Sequence, residues 1–240
     1  MKNKIVVDIH THTIASGHAY GTVRENALAA SEKGLQGLGI SDHAPGIPNV
    51  CTPNHFSNLR AIPRTLYGVH IYYGVENNVL HDGSMTLPES LLDRLDYNIV
   101  GIHGNCYEDQ GIDKNTDNLI RCMMHPKTFF ISHPDDGGFP LDYERLVLAA
   151  KEQGVALELN DAHIRNPWMK DCLENARSYL KLCMEYRTNI FVGSDAHDPS
   201  RVGCFDTAIA LLEELGFDED LIVNNSLEKF EDFIHFQSNG

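Results

Sequence analysis

The sequence predicts an α/β fold built on parallel strands, and three observations carry that expectation. Short runs rich in Val and Ile alternate with longer stretches of helical period, the signature of repeated βα units. Two of the longer stretches close on a glycine suited to a left-handed helix cap. Metal-capable side chains cluster at the carboxyl ends of the short runs, the level at which parallel α/β folds place their ligands.

Strands are expected at 4–9 (KIVVDI), 37–41 (GLGIS), 70–76 (HIYYGVE), 97–102 (YNIVGI), 128–132 (TFFIS), 155–160 (VALELN) and 189–194 (NIFVGS). Helices are expected between them, for example at 22–34, 143–154 and 171–186, with another at 206–216 after the last strand. Seven such units could close as a barrel or remain an open doubly wound sheet, and the pattern does not choose. Residues 44–57 carry three prolines and no periodicity, so they read as a long loop, a length usually kept for function. From Phe217 onward a further strand or turn and a terminal helix at 227–236 (LEKFEDFIHF) are expected to pack on the outside. At 240 residues one domain is expected, with a motif-bearing core of about 5–200 and a helical remainder at 201–240.

Thirty-four acidic residues against 19 basic ones give a net charge of -15. Such a field repels nucleic acid and anionic membranes, so neither an extended nucleic-acid footprint nor membrane association is expected. Any anionic substrate then needs a local source of positive charge. The apolar run after Met1-Lys2-Asn3-Lys4 is too short for a signal peptide or a membrane span, and a cytoplasmic location is expected. Six scattered cysteines without a C-x-x-C pair argue against a zinc ribbon and a disulfide framework, and they read as core or surface thiols. Association into a homo-oligomer is left open.

The chain has 13 histidines, and their placement is not uniform. His10 and His12 end the first expected strand, Asp42-His43 the second, Glu76 the third, His103 the fourth, His133 the fifth, and Asp195 and His197 the seventh, with His18 in the first loop. Alternate residues of a strand share a face, so His10 and His12 can point at one ion, about 6.5 Å apart along the chain. A lone histidine such as His133 is more often a surface or core residue than a ligand. Seven histidines and two carboxylates at one topological level are a different matter, and chance is a poor account of them. Nine ligands exceed one zinc site and suit two or three ions with shared carboxylates. Three divalent cations would also bring six positive charges against two from Glu76 and Asp195, making a cationic pocket in an acidic protein.

The segments D-I-H-T-H-T, S-D-H at 41–43, G-V-E at 74–76, H-G at 103, S-H-P at 132–134 and G-S-D-A-H at 193–197 resemble, in order, the motifs of the polymerase and histidinol phosphatase (PHP) superfamily of metal-dependent phosphoesterases. The opening HTHTIASGHAYGT is particularly similar to its small stand-alone bacterial phosphatases. The resemblance implies a distorted (β/α)7 TIM-like barrel with a trinuclear site at the carboxyl ends of the strands. It also implies that His10, His12, Glu76 and Asp195 hold one ion, that Glu76 bridges to a second held by His103 and His133, and that His18, His43 and His197 hold a third. Zinc is the first expectation for these three divalent ions, with manganese or iron as alternatives, because imidazole and carboxylate suit all three.

The expected reaction is hydrolysis of a small anionic phosphomonoester by a metal-bridging hydroxide attacking in line, with no protein nucleophile. The sequence offers neither a G-x-S-x-G elbow nor a G-x-x-x-x-G-K phosphate loop. Asp8 and Asp42, close in sequence to the ligands, are expected to orient histidines. Arg60 and Arg64, four apart, would share a helical face able to clamp a phosphate, although Pro63 complicates that helix. Asn160, His163 and Arg165 follow the sixth strand and are candidates for the pocket wall. Three rivals stand beside this reading: an amidohydrolase-type metal hydrolase, a phosphodiesterase or exonuclease acting on nucleotides or short oligonucleotides, and a non-catalytic metal-binding module. The first commonly needs a bridging lysine, and none stands at an expected strand end.

Overall fold

A computed structural model describes residues 4–169 and 171–235. In chain order the strands are β1 (Val7–Asp8), β2 (Gly37–Ile40), β3 (Thr65–Leu66), β4 (Val69–Tyr73), β5 (Glu76–Asn78), β6 (Asn98–Gly101), β7 (Thr128–Ile131), β8 (Ala156–Asn160) and β9 (Ile190–Gly193). The helices are α1 (Val23–Glu32), α2 (Pro53–Asn58), α3 (Glu89–Leu92), α4 (Ile112–Met123), α5 (Tyr143–Gln153), α6 (Asp161–Arg165), α7 (Cys172–Tyr186), α8 (Asp206–Leu215) and α9 (Leu227–Phe233). The helix starts carry chemical causes: Thr22 and Glu25 form a reciprocal capping box at α1, and Asp142 and Ser226 cap α5 and α9. Gly154 ends α5 in the left-handed region at φ 68°. Among the described residues no helix is long and apolar enough to cross a membrane. The last residue of the expected terminal helix, Phe236, lies outside the described residues.

The strands form two sheets, ordered β1-β2-β4-β3 and β5-β6-β7-β8-β9, parallel throughout except for the β3–β4 pair. This is the α/β architecture of a TIM-like barrel, but the ladder does not close. Two features break it. The expected third strand is really two, because the chain crosses from one sheet to the other at Gly74, where a Cβ would lie 2.3 Å from the Tyr97 ring. Among the described residues β1 and β9 share no ladder, and the chain pairs across this seam at one isolated bridge past their carboxyl ends, Thr11–Ala196. Lower in that seam the buried Asn224 side chain takes the place of a ladder, donating to Val7 O and Val192 O at 2.8 Å each and accepting from Val192 N at 3.1 Å. The expected strand or turn after Phe217 thus resolves into a single Ile190–Ile222 bridge followed by this wedge.

Strand residues alternate between two apolar clusters. Leu38, Ile40, Val100, Ile131, Leu157 and Val192 join the larger one, against the helices. Val7, Tyr72, Ile99, Phe130, Ala156 and Phe191 join a smaller, aromatic one. Because six strands contribute to the second cluster, the two sheets curl around it, and Phe230 of α9 closes it with ring centroids 4.9 Å from Tyr72 and 6.2 Å from Phe130. The C-terminal helix is therefore part of the inner core and not only an outer layer. Residues 59–66 also depart from expectation. Instead of a helical face they form a 3-10 turn (Leu59–Ala61) and then the edge strand β3, since Pro63 biases Ile62 to an extended conformation.

Candidate metal centre

At the carboxyl ends of the strands the chain assembles a buried set of imidazoles around one carboxylate. Glu76, the first residue of β5, is 1% exposed. Its Oε1 lies 2.9 Å from His133 Nε2, 3.1 Å from His103 Nε2 and 3.4 Å from His10 Nε2. Its Oε2 lies 2.7 Å from His43 Nδ1 and 3.5 Å from His12 Nε2. Asp195 approaches from the other side, with Oδ1 3.2 Å from His12 Nε2 and 3.5 Å from His10 Nε2. His197 Nδ1 is 3.4 Å from the same oxygen, and its Nε2 is 3.0 Å from Nε2 of His18. All nine residues singled out in the sequence meet here.

Backbone strain accompanies this convergence. His133 and Asp195 both hold positive φ, 31° and 48°, a region that side chains other than glycine rarely adopt. Short range order is also visible, because His10 and His12 lie side by side with ring centroids 5.1 Å apart.

The electrostatics are those of a cation site. Burial alone would raise the Glu76 and Asp195 carboxyls, but His10 and its neighbours hold both well below the usual carboxylate range. Burial, aided by His43 and His197, pushes the His12 imidazole down to about 3, and burial pushes His103 down to about 4, so both stay neutral and able to donate a lone pair. Nε2 of His10 and His12, Nδ1 of His43, Oε2 of Glu76 and Oδ1 of Asp195 are buried without a sound hydrogen bond. Against the cost of burial, Glu158, Asp195 and Glu76 raise His10 well above its usual range and Glu76 raises His133 to about 9, so the buried carboxylates demand positive charge, which divalent cations would supply in place of protons. Triplets such as His10–His12–Glu76, His12–His43–His197 and His43–Glu76–His103 have donor atoms within 4.8 Å of one another, so the residues fit divalent ions.

A supporting layer fixes these rings. Glu158 of β8, fully buried, bonds His10 Nδ1 through Oε1 at 2.7 Å and accepts from His133 N through Oε2 at 2.8 Å. Sequence reasoning missed Glu158, although a lone acid in the apolar strand VALELN, on the inward face shared with Ala156, was a legible signal. Gly193 makes room for it, since a Cβ there would lie 1.9 Å from Glu158 Oε1. Asn160 donates to Asp195 Oδ2 at 3.2 Å.

Asp42 acts through an intermediary: it accepts from Ser16 Oγ at 2.7 Å, and Ser16 Oγ in turn lies 3.0 Å from His12 Nδ1. Burial opposes its charge, yet His55 at 3.1 Å, Thr13 and Ser16 hold the Asp42 carboxyl down at about 2. Asp8 differs from expectation. Its oxygens accept from Ser194 N and Gly203 N, tying backbone segments together without orienting a histidine, and burial raises its carboxyl to about 6.

The centre opens into a pocket of about 260 Å³ lined by His18, His43, Glu76, His103, Asn105, His133, Asp136, His163, Asp195 and His197 among others. Among the described residues its lining contains no Ser, Thr or Cys, and no Arg or Lys. The expected arginine clamp is therefore corrected. Arg60 is exposed on the 3-10 turn, and Arg64 is bound to Asp96 and stacked 3.6 Å over the Tyr73 ring. Arg165 turns to Asp161 of its own helix, 3.2 Å away. Of the three candidates after β8, His163 lines the pocket and Asn160 sits behind Asp195.

Imidazoles and carboxylates gathered at the carboxyl ends of parallel strands define the class of metal-dependent hydrolases. Comparison with known proteins agrees. The PHP domain family profile matches residues 8–235. A curated relative from Acetivibrio thermocellus, named a probable phosphatase, is 41% identical over 96% of this chain and 95% of its own. A second from Caldanaerobacter subterraneus, with the same name, is 39% identical over 98% and 92%. The crystal structure of histidinol phosphate phosphatase from Lactococcus lactis, complexed with zinc, L-histidinol and phosphate, superposes with a TM-score of 0.57 at 15% identity, covering 90% of this chain and 95% of that one. The chain belongs to the PHP domain family, and its enzyme class is that of metal-dependent phosphatases.

Proposed function

We propose that this protein hydrolyses a phosphomonoester of a small molecule at a trinuclear centre. The observation that carries the reading is a pocket that opens onto buried, closely grouped imidazoles and carboxylates and, among the described residues, has no Arg or Lys in its lining to meet an anion without bound cations. His10, His12, Asp195 and Glu76 would hold one ion, Glu76 with His103 and His133 a second, and His18, His43 and His197 a third. Glu76 suits the bridging role because its two oxygens face different imidazoles, Oε1 toward His103 and His133 and Oε2 toward His12 and His43. His43 is placed to serve either of the last two sites, being 2.7 Å from Glu76 and grouped with His12 and His197.

Bound divalent ions, zinc first among them, would supply Lewis acidity and a water acidic enough to attack phosphorus near neutral pH. The protein's own part is to fix that geometry. Glu158 holds His10 and the His133 backbone, Ser16 and Asp42 set the His12 ring, and Asn160 steadies Asp195. A pocket of about 260 Å³ lies just below the small-molecule range of about 300–1,000 Å³, which suits a phosphate head with a compact leaving group. The zinc, histidinol and phosphate bound by the Lactococcus lactis enzyme support that substrate class.

The test is a metal-stripped full chain reloaded with zinc, manganese or ferrous iron. Sugar phosphates, nucleotides, histidinol phosphate and a short labelled oligonucleotide would be assayed side by side. Three ions per chain and turnover of a monoester are expected. Cleavage of the oligonucleotide alone, or of no ester with any metal, would refute the reading.

A further inference from the structure

Beside the nine-residue centre lies a second constellation of different chemistry. Asp135 follows β7, His163 sits on α6 and Cys172 is the first residue of α7. Three segments thus deliver one carboxylate oxygen, one ring nitrogen and one sulfur to within 4.8 Å of one another. Asp135 is 0% exposed, and neither of its oxygens has a well-formed hydrogen bond, although the Cys172 thiol lies within reach of its carboxyl. His163 Nδ1, 3.3 Å from Asp135 Oδ2, has none either. Cys172 is 1% exposed.

A buried carboxylate without a well-formed hydrogen bond calls for positive charge beside it, so a cation belongs at this point. Without an ion, a protonated His163 and the Cys172 thiol are the groups that face the Asp135 carboxyl. A metal ion uses all three donors.

We infer that Asp135, His163 and Cys172 form a further divalent metal site, separate from the nine-residue centre and suited to an ion of the zinc class. Thiolate with imidazole selects against magnesium and calcium, which take oxygen ligands. Zinc bonds of about 2.0–2.3 Å place tetrahedral ligands about 3.3–3.8 Å apart, so the three donors need only draw in slightly. Binding converts the Cys172 thiol to a metal thiolate and releases its proton to solvent. Three protein ligands leave a fourth position for water or a group from the adjoining pocket, whose wall His163 already shares.

Cobalt(II) distinguishes this site from the larger centre by its spectrum. A thiolate-to-cobalt charge-transfer band in the near ultraviolet requires a cysteine ligand, and the nine-residue centre has none. Titration of the metal-stripped full chain is expected to raise that band, added zinc to bleach it, and Cys172→Ser to abolish it while the visible cobalt absorption of the larger centre persists. Asp135→Asn, which keeps both the thiol and the shape, is expected to raise the cobalt concentration at half-saturation about 10-fold or more. No band in the wild-type protein, a band surviving in Cys172→Ser, or an unchanged midpoint in folded Asp135→Asn would overturn the site. Because hydrolysis is not read, a failure of the phosphatase proposal would leave this result untouched.

Discussion

Tyr97 and Glu76 sit at opposite ends of the same curled sheets, and their polar atoms meet opposite fates. The Tyr97 hydroxyl donates to Ile9 O at 2.7 Å within a floor of Tyr72, Phe130, Phe191 and Phe230. Glu76 lies among imidazoles, and its Oε2 has no sound hydrogen bond. Both are buried. The floor is complete without any ligand, whereas the site is complete only with cations. One end of the inner face therefore supplies stability and the other end stores unmet electrostatic demand, which is how a binding site differs from a core.

Substitutions at the two ends should separate these roles. The largest effect is expected from Phe230→Ala, which empties the centre of the floor and should cost about 3–5 kcal/mol in urea unfolding. Hydrolysis per folded molecule should stay near wild type, and a loss of turnover in the folded fraction would dissolve the distinction. Glu76→Gln should do the reverse, lowering kcat/KM by about 10²–10³-fold and bound metal per chain, on the scale of removing one preorganised electrostatic contact. Wild-type metal content in that variant would remove Glu76 from the centre. Glu158→Gln tests the layer between the two ends: metal affinity, followed by competition with a chelator, should fall about 10–100-fold. Unchanged affinity would make Glu158 a core residue only. The smallest effect is expected for Arg64→Ala, which removes a partly exposed pair with Asp96 and the stack on Tyr73, should cost about 1–2 kcal/mol and should leave KM unaltered. A several-fold rise in KM would restore the phosphate clamp.

Legibility followed the same division. Strand ends are marked locally, because an apolar run that stops at H-x-H, D-x-H or a single His or Glu needs no tertiary information to be noticed, and the eight residues so marked converge in space together with His18 of the first loop. The proline-rich segment 44–57, expected as loop throughout, gives way to helix α2 at Pro53, whose fixed φ suits a first helical position. Arg60 and Arg64 were misleading because spacing of four implies a shared face only if the segment is helical, and Pro63 turns it into an edge strand. The cysteines read as core or surface thiols because C-x-x-C spacing detects only ligands close in sequence, so the proposed grouping of Asp135, His163 and Cys172 had no local signal.

By itself the sequence determined the alternation of strands and helices, the level at which the histidines sit and the shortage of basic residues to meet an anion. Those properties rest on periodicity and charge, which are local or additive. Only the tertiary structure decided that the expected third strand breaks at Gly74, that Asn224 wedges the seam between β1 and β9, and that Glu158 stands behind His10. Each depends on side chains distant in sequence competing for one volume, and packing, unlike periodicity, is settled only when the whole chain has closed around it.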